Sequence, residues 1–205
     1  MKRWLPIMAA VASALCESAW AASISFTDPY VELSAGVATK SKLAFEGVKA
    51  SLDSGPAATL GFGFANFVGP VDLRLDYATT DRDSCSVFSC AIENQGVTST
   101  SLMLSALYNI SVIPNRMDAY VGPGAGMVKV DVQHTGLVFA ASDDYSGSDD
   151  VFGWQLIAGG RVKLLDGPVH LFFEYRYQSA NDARVQGHTV EYNSNSFTFG
   201  ARWKF

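Results

Sequence analysis

Beyond its N-terminal segment, the 205-residue sequence contains no uninterrupted apolar run long enough to cross a bilayer as a helix, a task that takes about 20 residues. It is also short of positive charge. Against 15 Lys and Arg stand 20 Asp and Glu, a formal net charge of −5, and that balance argues against nucleic acid as a partner. Cysteine is scarce: of three, only Cys85 and Cys90 lie beyond the N-terminal segment, and no further ligands sit near them at the spacing of a zinc site. No amphipathic helical period stands out, and no cofactor or metal is expected. Glycine and aromatic residues are abundant, a composition that favours sheets with close backbone approach.

The N-terminus reads as a secretory signal peptide. Lys2 and Arg3 precede the uncharged stretch Trp4–Leu15, and Ala19-Trp20-Ala21 has the small-x-small form of a cleavage site. Residues 1–21 are therefore expected to be removed, leaving residues 22–205 as one domain; losing Lys2, Arg3 and Glu17 takes the net charge from −5 to −6. Cys16 raises the question of lipid attachment, but Leu15 stands where a small residue would precede an acylated cysteine. In an exported chain the natural reading of Cys85 and Cys90 is a disulfide shaping one loop tip, the alternative being two free thiols.

Period-two alternation between turn-forming residues predicts eight strands, at about 29–38, 57–65, 71–79, 97–110, 117–131, 151–164, 169–178 and 195–205. Three connections are short and rich in Gly, Pro, Asn or Asp (66–70, 111–116 and 165–168). Four are long: 39–56, 80–96, 132–150 and 179–194. In Val71–Tyr77, in Val169–Gln178, in the segment ending at Leu164 and in the last strand, every Asp, Glu, Arg and Lys keeps to one parity. The other parity is apolar.

A soluble barrel would put its large apolar side chains inside, and an eight-stranded interior has too little room for Leu60, Phe62, Phe64, Leu73, Leu75, Leu102, Leu104, Trp154, Leu156, Leu171, Phe173, Tyr175, Phe197, Phe199, Trp203 and Phe205. They must face lipid, on a closed antiparallel barrel with short periplasmic turns and four long extracellular loops. The inner face then holds Glu32, Asp72, Asp76 and Glu174 against Arg74, Arg161, Lys163, Arg176, Arg202 and Lys204. Charges withdrawn from water need partners, so these ten are expected to form a network that plugs the lumen. Facing in the fifth strand is left open, and a bulge is expected at Pro123, which lacks a ladder donor.

Tyr120-Val121-Gly122-Pro123-Gly124-Ala125-Gly126, Phe173-Glu174-Tyr175-Arg176-Tyr177 and the terminal Phe197-Thr198-Phe199-Gly200-Ala201-Arg202-Trp203-Lys204-Phe205 resemble the small eight-stranded barrels of diderm-bacterial outer membranes. That family includes opacity-type surface proteins and the barrel of outer-membrane protein A, and the resemblance spans residues 22–205. It implies outer-membrane lipid and lipopolysaccharide as surroundings. It also implies recognition by the barrel-assembly machinery through Phe197, Phe199, Ala201, Trp203 and Phe205. Unlike outer-membrane protein A, the sequence given has no peptidoglycan-binding segment after the barrel. Family members are variously adhesins, structural proteins, conduits or lipid A enzymes, so the motifs specify architecture more than activity.

The favoured expectation is a non-enzymatic surface protein whose loops contact host or neighbouring cells or support the envelope. A small conduit or apolar-ligand carrier, and a lipid A deacylase, are the alternatives. Tyr177-Gln178-Ser179-Ala180-Asn181 resembles a deacylase catalytic stretch, but Gln178 stands where the base should be, and a serine without a base is not activated. His188, Glu191 and Ser194 read as ordinary loop residues, as does His134, and His170 as a polar lumen group. Asp143, Asp144, Asp149 and Asp150 read as a solvated acidic loop, with a divalent cation as the alternative. Leu43, Phe45 and Leu137-Val138-Phe139 would sit at loop tips. Tyr30, Tyr77, Tyr108, Tyr120, Trp154, Tyr175, Tyr177 and Trp203 are expected to include interface-belt aromatics.

Overall fold

The computed structural model describes residues 24–39, 41–45, 48–52, 54–85, 95–134, 145–164, 167–185 and 188–205. They contain ten strands: β1 (Asp28–Ala38), β2 (Ser41–Phe45), β3 (Val48–Leu52), β4 (Gly55–Val68), β5 (Val71–Cys85), β6 (Gln95–Ile113), β7 (Met117–His134), β8 (Tyr145–Lys163), β9 (Val169–Val185) and β10 (His188–Lys204). No helix occurs among the described residues. The expected signal peptide, residues 1–21, and Cys90 lie outside them.

Eight strands, β1 and β4 to β10, close an antiparallel barrel. Each pairs with the next, and β1 completes the ring by pairing with both β4 and β10, Glu32 lying opposite Gly61 on one side and Arg202 on the other. Closure leaves no row of backbone donors and acceptors facing hydrocarbon. The short β2–β3 hairpin bridges β10 and β5 through Glu191↔Ala44 and Leu52↔Ser84, so much of the first long connection is wall and not loop.

At one end the turns are tight. Asn66, Gly69 and Asn115 take φ values of 52°, 56° and 61°, a left-handed conformation that Gly and Asn accept most readily. At the other end the strands overshoot. β6 to β10 run to 17–19 residues, where about 9–11 suffice to cross a bilayer. Above the bilayer both faces of a strand meet water, so alternation is no longer required although the ladder continues. For that reason the segment 179–194, read as a loop, is instead mostly strand: β9 continues to Val185 and β10 starts at His188.

The two faces are sharply divided: Phe173 is 52% exposed and its neighbour Glu174 1%. All sixteen large apolar residues assigned outward are exposed or half-buried on the outer surface, among them Leu60, Leu104, Leu156 and Phe199. On β7 the outward series runs from Met117 to Met127 and is succeeded by Lys129. Ten steps of about 3.3 Å, tilted by about 40°, make an apolar band roughly 25 Å tall, the height a bilayer core asks for. β7 turns Tyr120, Gly122 and Gly124 inward and Val121, Pro123 and Ala125 outward. The expected bulge at Pro123 is absent: pairing with β6 lapses between Ser105↔Gly124 and Tyr108↔Val121 but resumes in the same register. A missing donor has cost ladder bonds without adding a residue.

Candidate functional site

The lumen is crossed by one chain of ion pairs whose buried members come from five strands. Arg74 on β5 is its hub: Nη1 donates to Glu32 Oε2 at 2.7 Å and to Glu174 Oε2 at 2.8 Å, and Nε lies 2.7 Å from Asp76 Oδ1. Arg202 joins Glu32, through Nε, to Asp72, where its Nη1 donates to Oδ2 at 2.8 Å. Arg161 continues from Asp72 Oδ2 at 3.2 Å to the half-exposed Asp118 at 3.5 Å. Arg176 closes the other end on Glu174 at 2.8 Å and Asp76 at 3.7 Å. Four buried arginines thus meet four buried carboxylates, each of these touching two arginines, with Asp118 as a half-exposed fifth at one end. Arginine suits this role because its planar fork reaches several acceptors at once.

Neutral groups complete the lining. Asn109 donates to Asp72 at 2.7 Å, Ser105 to Asp76 at 3.1 Å, and Tyr120 to Glu174 at 3.1 Å. Arg202 stacks over the Tyr30 ring and Arg161 over the Tyr120 ring, with centroid distances of 3.7 and 5.6 Å. Tyr30 and Tyr120 therefore belong to the lumen and not to the interface belt. The signal was their parity: Tyr30 shares it with Glu32, and Tyr120 with the inward Gly122 and Gly124. Space for the rings comes from glycine, since a Cβ at Gly63 would stand 2.5 Å from the Tyr30 ring and one at Gly159 2.4 Å from that of Tyr120. Tyr77, Tyr108, Trp154 and Trp203, expected among the belt aromatics, are exposed on the outer face; Tyr175 and Tyr177, half-buried there, donate to Asn195 and Asn193 at 2.7 and 3.2 Å.

The lumen is less uniformly polar than its charges suggest. Leu107, Tyr120 and Ile157 form a buried apolar cluster, and Met103, Val128, Val151 and Phe172 are also buried. Higher up, Tyr192 donates to or accepts from Ser99 at 2.5 Å and lies 3.5 Å from Thr80. Reading 179–194 as a loop hid Tyr192.

Lys163 and Lys204 do not join the network. They lie at the end bearing the tight turns, where with Arg116, Asp118 and His170 they line a cavity of about 430 Å³. The residues weighed for catalysis are split: Ser179 is half-buried on the outer face and Ser194 buried in the lumen, across the wall from each other. His188 and Glu191 lie on the part of β10 that overshoots the bilayer, and His134 ends β7. The acidic segment is split as well. Asp149 and Asp150 belong to β8, opposite Val130 and Lys129, on alternate faces of the wall; Asp143 and Asp144 lie outside the described residues, as does Leu137-Val138-Phe139. Leu43 and Phe45 sit in β2. Among the described residues no group of His, Cys, Asp and Glu has the arrangement to hold a metal ion.

A closed antiparallel barrel, apolar outside over the height of a bilayer and ionic within, defines an integral β-barrel protein of the bacterial outer membrane. The chain matches the outer membrane protein beta-barrel domain family over residues 7–205 and belongs to it. Its fold is shared with Neisserial surface protein A (17% identity, TM-score 0.62, covering 87% of this chain and 99% of that one). It is shared also with the outer membrane protein OprG from Pseudomonas aeruginosa (14% identity, TM-score 0.56, covering 87% and 95%). A search of curated protein sequences gives no significant match.

Proposed function

We propose that the protein is a non-enzymatic surface platform: a plugged barrel holding raised extracellular walls that contact host or neighbouring-cell molecules, lipopolysaccharide, or both. The ion-pair chain supports this reading, because eight charged side chains drawn from β1, β5, β8, β9 and β10 pair with one another inside the barrel, as an occluded lumen requires. What remains available for recognition is the wall above the apolar band, built from the upper halves of β5 to β10 and the β2–β3 hairpin. In the same reading residues 1–21 direct export, Cys85 and Cys90 close a disulfide at one loop, and Phe197, Phe199, Ala201, Trp203 and Phe205 present the terminal strand to the barrel-assembly machinery.

Planar-bilayer recording of the refolded barrel tests the plug: only brief or no conductance is expected, and large, stable single-channel currents would favour the conduit instead. Comparing lipid A from cells with and without the protein tests the absence of enzymatic activity; an acyl pattern that changes with the wild type and reverts in Ser179→Ala would overturn it.

A further inference from the structure

We propose that the periplasmic mouth of the barrel is a binding site for a phosphate-bearing ligand, held by Lys163, Lys204 and Arg116. The cavity there, about 430 Å³, falls in the range of roughly 300–1,000 Å³ typical of small-molecule sites. Its walls come from the ends of β6 to β10 and the turns between them, and the frame is fixed by backbone bonds: the Lys163 N–H donates to the Arg116 carbonyl at 2.9 Å, and Leu164 to Val169 at 3.0 Å. Lys163 and His170 are register partners on β8 and β9, and His170 pairs in turn with Arg202 on β10.

The charge balance at this mouth differs from that of the lumen above it. In the lumen every arginine is matched by carboxylates. At the mouth, Arg116, Lys163 and Lys204 make no ion pair among the described residues, and the one carboxylate lining the cavity, Asp118, is shared with Arg161 at 3.5 Å. Asp28, at the start of β1, is exposed; Asp166, in the adjoining turn, lies outside the described residues. His170 lines the same cavity.

Two ammonium groups and a guanidinium around a cup make a receptor for phosphate oxygens, which accept short charge-assisted bonds from both donor types. The volume admits more than a bare phosphate, so the ligand class is a phosphate ester. It can come from two sources: the headgroup of an anionic phospholipid in the inner leaflet, or a soluble phosphorylated compound of the periplasm.

The test uses the whole refolded barrel in detergent micelles, with retarded mobility of unboiled samples as the measure of folding. Calorimetric titration with glycerol 3-phosphate probes the soluble source, and native mass spectrometry with added phosphatidylglycerol probes the lipid source. Binding by either arm that falls at least tenfold in Lys163→Gln/Lys204→Gln, and is retained in Lys163→Arg/Lys204→Arg, is the expected result; the arm that responds names the source. Equal affinity in the folded Gln variant, or no binding in either arm, would overturn the proposal. Binding that arises only in Asp166→Asn would overturn it too, because the turn's own carboxylate would then occupy the cup.

Discussion

The guanidinium carbon of Arg202 lies 3.7 Å from the centroid of the Tyr30 ring, across the β1–β10 seam that closes the barrel. A buried cation over an aromatic face contributes about 2 kcal/mol. The Tyr30 hydroxyl has no hydrogen-bond partner among the described residues, so the ring and not the oxygen is what matters. Tyr30→Phe should leave the urea midpoint in micelles nearly unchanged, whereas Tyr30→Leu should lower stability by about 2 kcal/mol. A Phe variant as damaged as the Leu variant would contradict this account.

Arg74 faces Glu32, Asp76 and Glu174 at once. Removing it leaves three carboxylates around one vacant position, and breaking a buried pair from one side costs about 3–5 kcal/mol. Arg74→Ala should therefore destabilise the barrel by at least that much, and Arg74→Ala/Glu174→Ala by less than the sum of the two single changes. Denaturant titration of the four proteins gives the coupling. The same double variant should also raise bilayer conductance above that of the wild type.

Depth along the outer face sets the cost of a misplaced charge. Phe173 sits in the middle of the apolar band, and Tyr177 on the same strand near its upper edge. Phe173→Arg should cost about 2–4 kcal/mol and Tyr177→Arg about 1 kcal/mol or less. Unfolding in lipid vesicles measures both, and equal penalties would place the bilayer elsewhere on the barrel.

If Cys85 and Cys90 are joined, non-reducing peptide mapping of protein isolated from the outer membrane should yield one cross-linked fragment. So small a closed loop restricts the unfolded chain only modestly, so Cys85→Ser should lower stability by about 2 kcal/mol at most. Recovery of both thiols free would remove the bridge from the description.

The barrel was legible in the sequence wherever two different solvents enforced alternation. Arg74 between Leu73 and Leu75, or Glu174 between Phe173 and Tyr175, can satisfy lipid and lumen in one arrangement only. Legibility ended where that pressure ended. Residues of β9 and β10 such as Ser179, Tyr192 and Asn193 stand where water lies outside the wall too, and their polar sequence looked like loop although the ladder runs through it. Within the lumen, charged residues revealed their side but neutral ones did not. Tyr30 and Ile157 were recoverable only by counting parity from Glu32 and Arg161, and Met103 and Leu107 only from the outward Leu102 and Leu104. Which arginine meets which carboxylate was not legible, because several of the contacts, such as that of Arg74 with Glu174, join strands that are not neighbours.

β9 and β10 extend well beyond the apolar band and are joined across only residues 186–187. Replacements on this upper section disturb neither the acyl-chain contacts nor the arginine relay, while its hydrogen-bonded backbone keeps the shape. The outermost residues can therefore be rewritten at small energetic cost. Lineages of this protein should diverge fastest there and slowest around Arg74 and Arg202.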